Sequence, residues 1–515
     1  MHPCLYVDEI IRRIAHELVT SGGEGTSVAL ACCCKSLEDP MLDVLWETKD
    51  SLFLLFKSLP RDVWNGRKHS VSPPAMCALS LLDYSIWKPF RRHPTTMEWA
   101  RFQKYAQRMR RLYLRCDGES ELFPALQLRA VDKLLLPNLK WIYICFPSLD
   151  FIPLIPLFLT PRTTAVTVAF DTTNPLPKAT VASMITTFPT LCPNLQDLAL
   201  DSLPRDPMIT ASVYEMLLAS NRNILRRLKL DSPLTVEAYE VVFGLPNLRE
   251  LWVVVAGDIS LPTMELPNLT ELTVKYYHDR HCLQLFRGAT LGEVTSVTFY
   301  SESESIGNFL EEFKHLALTI SISATLSSFV FSTSRSWKPN YRSLLPFTHL
   351  NKIVINFSCQ GGCSSTVDDD IITDIARAMP RLETLQFGHP CETPAGVTVK
   401  GLAALAHHCP HLSTLCIHFQ LATLDPQLIP GITAGDRPAT PRGDCALTYL
   451  IVGRIPLPEE SVLMVTLTLL LIFPSVFRFA YSDERWGRVK DAITRSKQFV
   501  HHSSKKLSLS PPWSK

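Results

Sequence analysis

Leu245-Pro246-Asn247-Leu248-Arg249-Glu250-Leu251-Trp252-Val253 decides how the rest of this chain is read, because the same pattern returns four more times. The other copies begin at Cys192, Leu266, Met379 and Cys409. Each has proline in second place and then the spacing Leu-x-x-Leu-x-Leu, with some leucines replaced by other apolar residues. Carried along the chain, that spacing places its first apolar position at Met109, Leu139, Leu195, Leu225, Leu248, Leu269, Val294, Leu326, Leu350, Leu382, Leu412, Leu447 and Val476. A weaker copy starts at Thr163. Most gaps are roughly 21 to 35 residues, the range of a repeat array.

Helical patterns fall between these marks. Val367 to Met379 is one, with Ser365 or Thr366 as candidate caps and Asp368 to Asp370 suited to the positive helix start. Ala211 to Ser220 and Val397 to His408 repeat the sequence of helix, short proline turn and strand. One such unit cannot stand alone: burying three aliphatic side chains contributes about 5 to 9 kcal/mol, whereas ordering some 25 residues costs about 25 to 50. The units must therefore stack, which predicts an α/β solenoid, curved, with a parallel sheet on its inner face and helices outside. The spacing resembles the leucine-rich-repeat family over residues 106–490.

Ahead of the repeats, Val7, Ile10, Ile11, Ile14 and Leu18 form one helical stripe. A Gly-rich turn at Gly22 to Gly25 follows, then Val28 to Leu37 and Asp39 to Glu47, making three short helices in about 45 residues. So small a core leaves apolar surface that invites a partner. This head resembles the F-box in Leu5, Glu9, Ile10, Ile14, Leu18, Leu30, Ala31, Cys34, Lys35, Leu37, Asp39, Pro40, Leu45 and Trp46, with Tyr6 where the family has proline. It is similar in particular to the F-box and repeat proteins of mushroom-forming fungi. The resemblance implies a substrate-recognition subunit of a Skp–cullin–F-box ubiquitin ligase, without catalysis of its own. It implies docking onto a Skp-type adaptor, and through it a cullin and a RING subunit, by Leu5, Val7, Ile10, Ile14, Leu30, Leu45 and Trp46. The alternative is a repeat scaffold whose head only closes the stack. The domain layout expected is a head over 1–48, a helical connector over 49–105, the solenoid over 106–490 and a disordered basic tail over 491–515.

Between buried positions of a strand, side chains alternate outward. Two, four and six residues after the marks lie Arg111, Tyr113 and Arg115, then Trp141 and Tyr143, Arg227 and Lys229, Glu250 and Trp252, and Lys275. Arginines and aromatics are the residue types that dominate recognition. They predict a basic and aromatic patch for an acidic or phosphorylated segment of a protein substrate.

The rest of the sequence argues mainly by exclusion. Its 51 basic and 49 acidic residues give a net charge of +2, which offers no footprint for nucleic acid or an anionic membrane. Charges at Asp8, Glu9, Arg12, Arg13, His16 and Glu17 interrupt any secretory leader, so the expected place is the cytoplasm, the nucleus or both. The fifteen cysteines read as reduced thiols, mostly of the core. No cofactor is expected. No nucleophile elbow, phosphate loop or metalloprotease motif occurs, and Cys359, Cys363, His389, Cys391, His407, His408, Cys409 and His411 fit no common zinc spacing. Arg442-Gly443-Asp444 reads as a turn. Val462 to Phe473 is apolar but spans only ~18 Å against ~30 Å of hydrocarbon, so a buried helix is expected there.

Overall fold

The computed structural model describes residues 7–63, 92, 94–116, 122–123, 126, 134–220, 222–257, 263–287, 289–303, 306–335, 337–357, 367–388, 396–420, 445–453, 455, 457–481 and 483–507. Leu5, Tyr6, Cys359, Cys363, Ser365, Thr366, His389, Cys391 and Arg442 to Asp444 lie outside them. Two compact units emerge, Met1–Leu248 and Arg249–Lys515.

The first unit opens with α1 (Asp8–Thr20), α2 (Glu24–Cys33) and α3 (Lys35–Glu47). Asp8 and Glu9 favour the start of α1 electrostatically, and Gly22 at φ +80° closes it in a conformation that side chains disfavour. Ile11 and Ala15 turn inward to meet Ala31, Leu37, Met41 and Val44 in a small core. Directly after α3 comes β1 (Thr48–Lys49), paired parallel with β2 (Arg111–Arg115) through Thr48 opposite Arg111. The strand stack thus begins at Thr48, inside the stretch expected to hold only the end of the head and a connector. Two residues of strand between a helix and a loop leave no periodicity to detect. Helices α4 (Phe53–Phe56) and α5 (Thr96–Ala106) complete this first turn, with Phe56 against Phe102 at 5.4 Å. Thr95 and Glu98 bond reciprocally at the start of α5.

Strands β3 (Trp141–Cys145), β4 (Ala165–Ala169), β5 (Asp197–Asp201) and β6 (Arg227–Pro233) follow, parallel and in chain order. Helices α6 (Ile155–Phe158), α7 (Lys178–Leu191), α8 (Pro207–Ala219) and α9 (Val236–Phe243) lie between or after them in the chain. Asp206 caps α8 by accepting from the Met208 N–H at 3.0 Å, and Pro207 occupies the first helical position, where no N–H is needed. The asparagine of the repeated Pro-Asn-Leu has a job in this unit. Its amide donates to a carbonyl one repeat earlier: Asn138 to Gln107, Asn194 to Pro161 and Asn247 to Asn223, at 2.9, 2.9 and 2.7 Å.

Among the described residues the second unit holds nine further strands: β7 (Glu250–Val255), β8 (Glu271–Tyr276), β9 (Ser296–Ser301), β10 (Ser328–Thr333), β11 (Lys352–Asn356), β12 (Thr384–Phe387), β13 (Thr414–Cys416), β14 (Tyr449–Gly453) and β15 (Arg478–Tyr481). They too are parallel and ordered as in the chain. Its helices are α10 (Asp279–Gln284), α11 (Phe309–Thr319), α12 (Asp369–Ala378), α13 (Val399–His408), α14 (Val462–Ile472) and α15 (Arg485–Leu507). Phe299 of β9 meets Phe309 and Phe313 of α11 edge-on at 5.0 and 5.2 Å, so the inward strand residues and the helices share one core. Burial pushes the thiols of Cys409 and Cys416 up to about 12, as inert core groups, while Cys32 and Cys33 of the head are exposed.

Three expectations change in this unit. Asp368 caps α12 by accepting from the Ile371 N–H at 2.9 Å, the place assigned to Ser365 or Thr366. The tail expected to be disordered from residue 491 is helical to Leu507, because Trp486, Val489 and Ile493 recur on one face of α15 and are fully buried. Helix α14 is only half-buried: Val465, Leu469 and Ile472 face inward with two threonines, while Leu463, Met464, Leu467 and Leu471 are exposed. Among the described residues no helix is long and apolar enough to cross a membrane.

Candidate recognition surface

Every strand from β2 to β15 starts two residues after its apolar mark. The marks are buried and the intervening residues alternate, which is why spacing alone locates the outward positions. All ten outward residues picked out by the spacing are exposed or half-exposed. In the first unit the parallel register sets them in rows. Arg111, Trp141, Ala165, Asp197 and Arg227 lie side by side, and the next row holds Tyr113, Tyr143, Thr167, Ala199 and Lys229.

The aromatics of these rows form one cluster. Tyr113, 46% exposed, meets Trp141 edge-on at 4.5 Å and Tyr143 at 6.0 Å, while Trp141 and Tyr143 stack at 6.3 Å. Burial, aided by Cys145 and Asp201, raises the Tyr143 phenol, so it stays a neutral hydrogen-bond donor.

The predicted cations behave unequally. Arg227 pairs with Asp197 and Lys229 with Asp201, each at 2.7 Å on the adjoining strand β5. In the second unit Lys275 reaches Glu302 at 3.8 Å, and Trp252 stacks on Tyr300 at 5.1 Å. Strand spacing selects the cations without these partners: Asp197 shares the row of Arg227, but Asp201 and Glu302 stand two residues beyond the rows of Lys229 and Lys275.

Between the head and the strand face of the first unit lies a cleft of about 620 Å³, within the range of small-ligand sites. Arg12, Asp43 and Glu47 line it from the head, and Arg110, Arg111, Tyr113, Lys140, Trp141, Thr164, Asp197 and Arg227 from the strand side. A shallower hollow of about 470 Å³ adjoins it and shares Arg110, Lys140 and Thr164, adding Arg162. Residues Arg110, Lys140, Thr164 and Gln196 stand one place before their strands and are joined N–H to carbonyl from one repeat to the next at 2.8, 2.9 and 2.8 Å. Arg110, Lys140 and Arg162 were missed by counting outward positions from the strand start. The signal was present: Met109-Arg110-Arg111 and Leu139-Lys140-Trp141 carry a cation at the same register place.

No family model and no curated protein matches this chain. A crystal structure of a Bacteroides fragilis protein is similar over 70% of each chain, at 12% identity and a TM-score of 0.26, a likeness too loose to carry an argument.

The head divides the residues named for adaptor docking into two sets. Val7, Ile10 and Ile14 are 41%, 40% and 39% exposed along one side of α1, and Val28 of α2 is exposed as well. Leu45 is buried, Leu30 packs on the head core, and Trp46 lies against Tyr105 of α5 at 4.8 Å. Arg108 binds Asp39 and Asp43, and Lys104 reaches Glu38 at 3.2 Å, so α3 is fastened to the first repeat. Arg12 is held by Asp8 and Asp43 at 2.7 and 2.6 Å, and these carboxylates, Asp8 most, raise its guanidinium further above the usual value.

Proposed function

We propose that the chain is a non-catalytic recognition subunit of a Skp–cullin–F-box ubiquitin ligase of the leucine-rich-repeat kind. Its head meets a Skp-type adaptor, and its outward strand face holds a target protein. The observation that carries this reading is the apolar side of α1: Val7, Ile10 and Ile14 lie open to solvent on a helix whose opposite residues Ile11 and Ala15 are already buried. A soluble head gains nothing from such a stripe unless something covers it. The F-box-like residues of the head say what that would be. Linking two binding surfaces in one chain raises the effective concentration of target beside the ligase, so no active site is needed.

The test is a pull-down of the purified chain with a Skp-type adaptor. Binding by the unaltered chain and its loss in an Ile10→Asp, Ile14→Asp variant of unchanged melting temperature supports the reading. Equal binding by the variant, or none by the unaltered chain, overturns it. A second reading has one observation behind it. Because α3 runs straight into β1, and Leu45 and Trp46 pack inward, the head also serves as the cap that closes the first repeat. A repeat scaffold without a ligase would need the head for that alone, and would leave Ile10 and Ile14 replaceable.

A further inference from the structure

Helix α14 has its polar and apolar residues the wrong way round for an outer helix. Thr466 and Thr468 are buried, each hydroxyl donating back to a carbonyl of its own helix, Val462 at 2.7 Å and Met464 at 2.9 Å. On the opposite side Leu463, Met464, Leu467 and Leu471 are exposed, Leu463 by 69%. Folding alone does not select this arrangement, since exchanging the two sets would bury more apolar surface. Phe477, six residues beyond Leu471, is exposed as well.

The neighbouring helix supplies charge. Between Arg485 and Gln498, α15 carries five cations and one acid, Asp491. Trp486, Val489 and Ile493 of α15 are buried, as are Val465, Leu469 and Ile472 of α14, so the exposed sides of both helices turn away from the core. The two helices lie side by side. Arg488 pairs with Glu459 just ahead of α14, and the Lys497 ammonium donates to the Val476 carbonyl just after it, at 2.7 Å. At the first of these ends acids and cations answer each other, Arg485 pairing with Asp483 as well. Farther along they do not: among the described residues, no carboxylate pairs with Arg478, Lys490, Arg495 or Lys497. The Arg478 guanidinium and the Lys497 ammonium sit over the Phe477 ring at 5.3 and 6.0 Å, so charge and apolar surface meet there.

We propose that α14 and α15 form a docking face for an anionic lipid bilayer, with Leu463, Leu467, Leu471 and Phe477 entering the headgroup layer and Lys490, Arg495 and Lys497 meeting its charges. Such a face reaches only about 5 to 10 Å into the interface, so a helix too short to span the bilayer is long enough. The whole-chain charge of +2 conceals the local excess, and cations at a membrane surface act only within a Debye length, about 8 to 10 Å. Two other occupants fit less well. Nucleic acid would answer the cations and leave the leucines in water. A second copy of the chain would cover the leucines but set like charges face to face. It would also have little to hold: α14 has 11 residues and presents a strip of about 16 by 10 Å, against roughly 800 Å² from each partner of a stable dimer. An anionic surface with an apolar layer beneath it satisfies both the cations and the leucines.

This inference is independent of the adaptor and target contacts, and its test uses the full chain alone. The chain is sedimented with vesicles of phosphatidylcholine, and with vesicles in which about a third of the lipid is phosphatidylserine. The expected result is a preference for the anionic vesicles that fades as salt rises from about 0.1 to about 1 M, which shortens the Debye length from about 10 to about 3 Å. Lys490→Gln and Arg495→Gln together should weaken that binding about 25-fold, roughly fivefold for each cation. Leu467→Ser and Leu471→Ser together should weaken it about tenfold or more. All four side chains are exposed, so the melting temperature should hold. Equal sedimentation with the two kinds of vesicle, or with neither, overturns the proposal, and so does undiminished binding by the leucine variant. A single-stranded RNA bound more tightly than the anionic vesicles, or self-association of the chain that the leucine variant abolishes, overturns it in favour of those occupants.

Discussion

At the scale of single residues, the chain shows how far a repeat motif is a chemical instruction. The proline-asparagine pair ahead of each strand reads in sequence as a turn signal. In the first unit its asparagine is also a fastener, donating to a carbonyl of the preceding repeat. Other residues act with no sequence signal at all. Asp279 follows β8 in the second unit, with the Gly307 N–H donating to its Oδ2 at 3.0 Å. Burial raises its carboxyl above the ordinary value, an effect the Gly307 bond opposes and nearby Glu312 adds to. A raised folded pKa means that the native chain holds this proton to higher pH than the unfolded chain. The stabilising contribution is thus complete below the unfolded value of about 4 and is lost as pH rises through the folded one. Asp279→Asn keeps an acceptor for Gly307 and removes the charge. It should raise the melting temperature more at pH 8 than at pH 4, a difference that differential scanning calorimetry reads directly. An equal effect at both pH values would show that the charge is not burdened by its burial.

At the scale of elements, strand positions were legible to the residue because apolar marks separate period-two strands from helices of period 3.6. Helix faces were legible in the same way where one side is polar, as in α12. In α14 they were not, since a uniformly apolar segment gives no clue to which side turns inward. The links between successive helices were also invisible. Asp369, read in sequence only as part of an acidic helix start, joins α12 to α13. Its Oδ1 accepts from the N–H groups of Thr398 and Gly401 at 2.7 and 2.9 Å, and its Oδ2 from the Thr398 hydroxyl at 2.6 Å. Position 401 must be glycine for this, because a Cβ there would come within 2.6 Å of Oδ1. Thr398 caps α13 by accepting from the Lys400 N–H, so Asp369→Ala leaves that cap and removes the bonds that tie it to α12, which should destabilise the chain by about 2 kcal/mol in urea unfolding. Asp369→Asn, which retains an acceptor oxygen, should recover part of that. A loss below about 0.5 kcal/mol, the low end for a single such hydrogen bond, would mean that water replaces the aspartate without cost.

At the scale of the molecule, repeat periodicity located the repeats within each unit but not the first repeat of the first unit or the last of the second. Terminal repeats have a neighbour on one side only, so they depart from the pattern that identifies the others. At the front, β1 is too short to register as a copy, and at the back α15 was hidden in a basic stretch. The closing device of the second unit is Trp486, fully buried, with its indole N–H donating to the Ile455 carbonyl at 2.9 Å and its ring near Phe419 and Phe479 at 6.4 Å each. In a stack stabilised by nearest neighbours, damage at the end should propagate with diminishing force. Trp486→Ala removes about 3 to 5 kcal/mol of packing from the last turn. Amide hydrogen exchange should therefore quicken by about a hundredfold or more in β14 and β15. The effect should shrink through β13 and β12 and vanish by β9. Uniform acceleration from β7 to β15 would show instead that the second unit opens as one cooperative body, with the tryptophan holding all of it rather than its last turns.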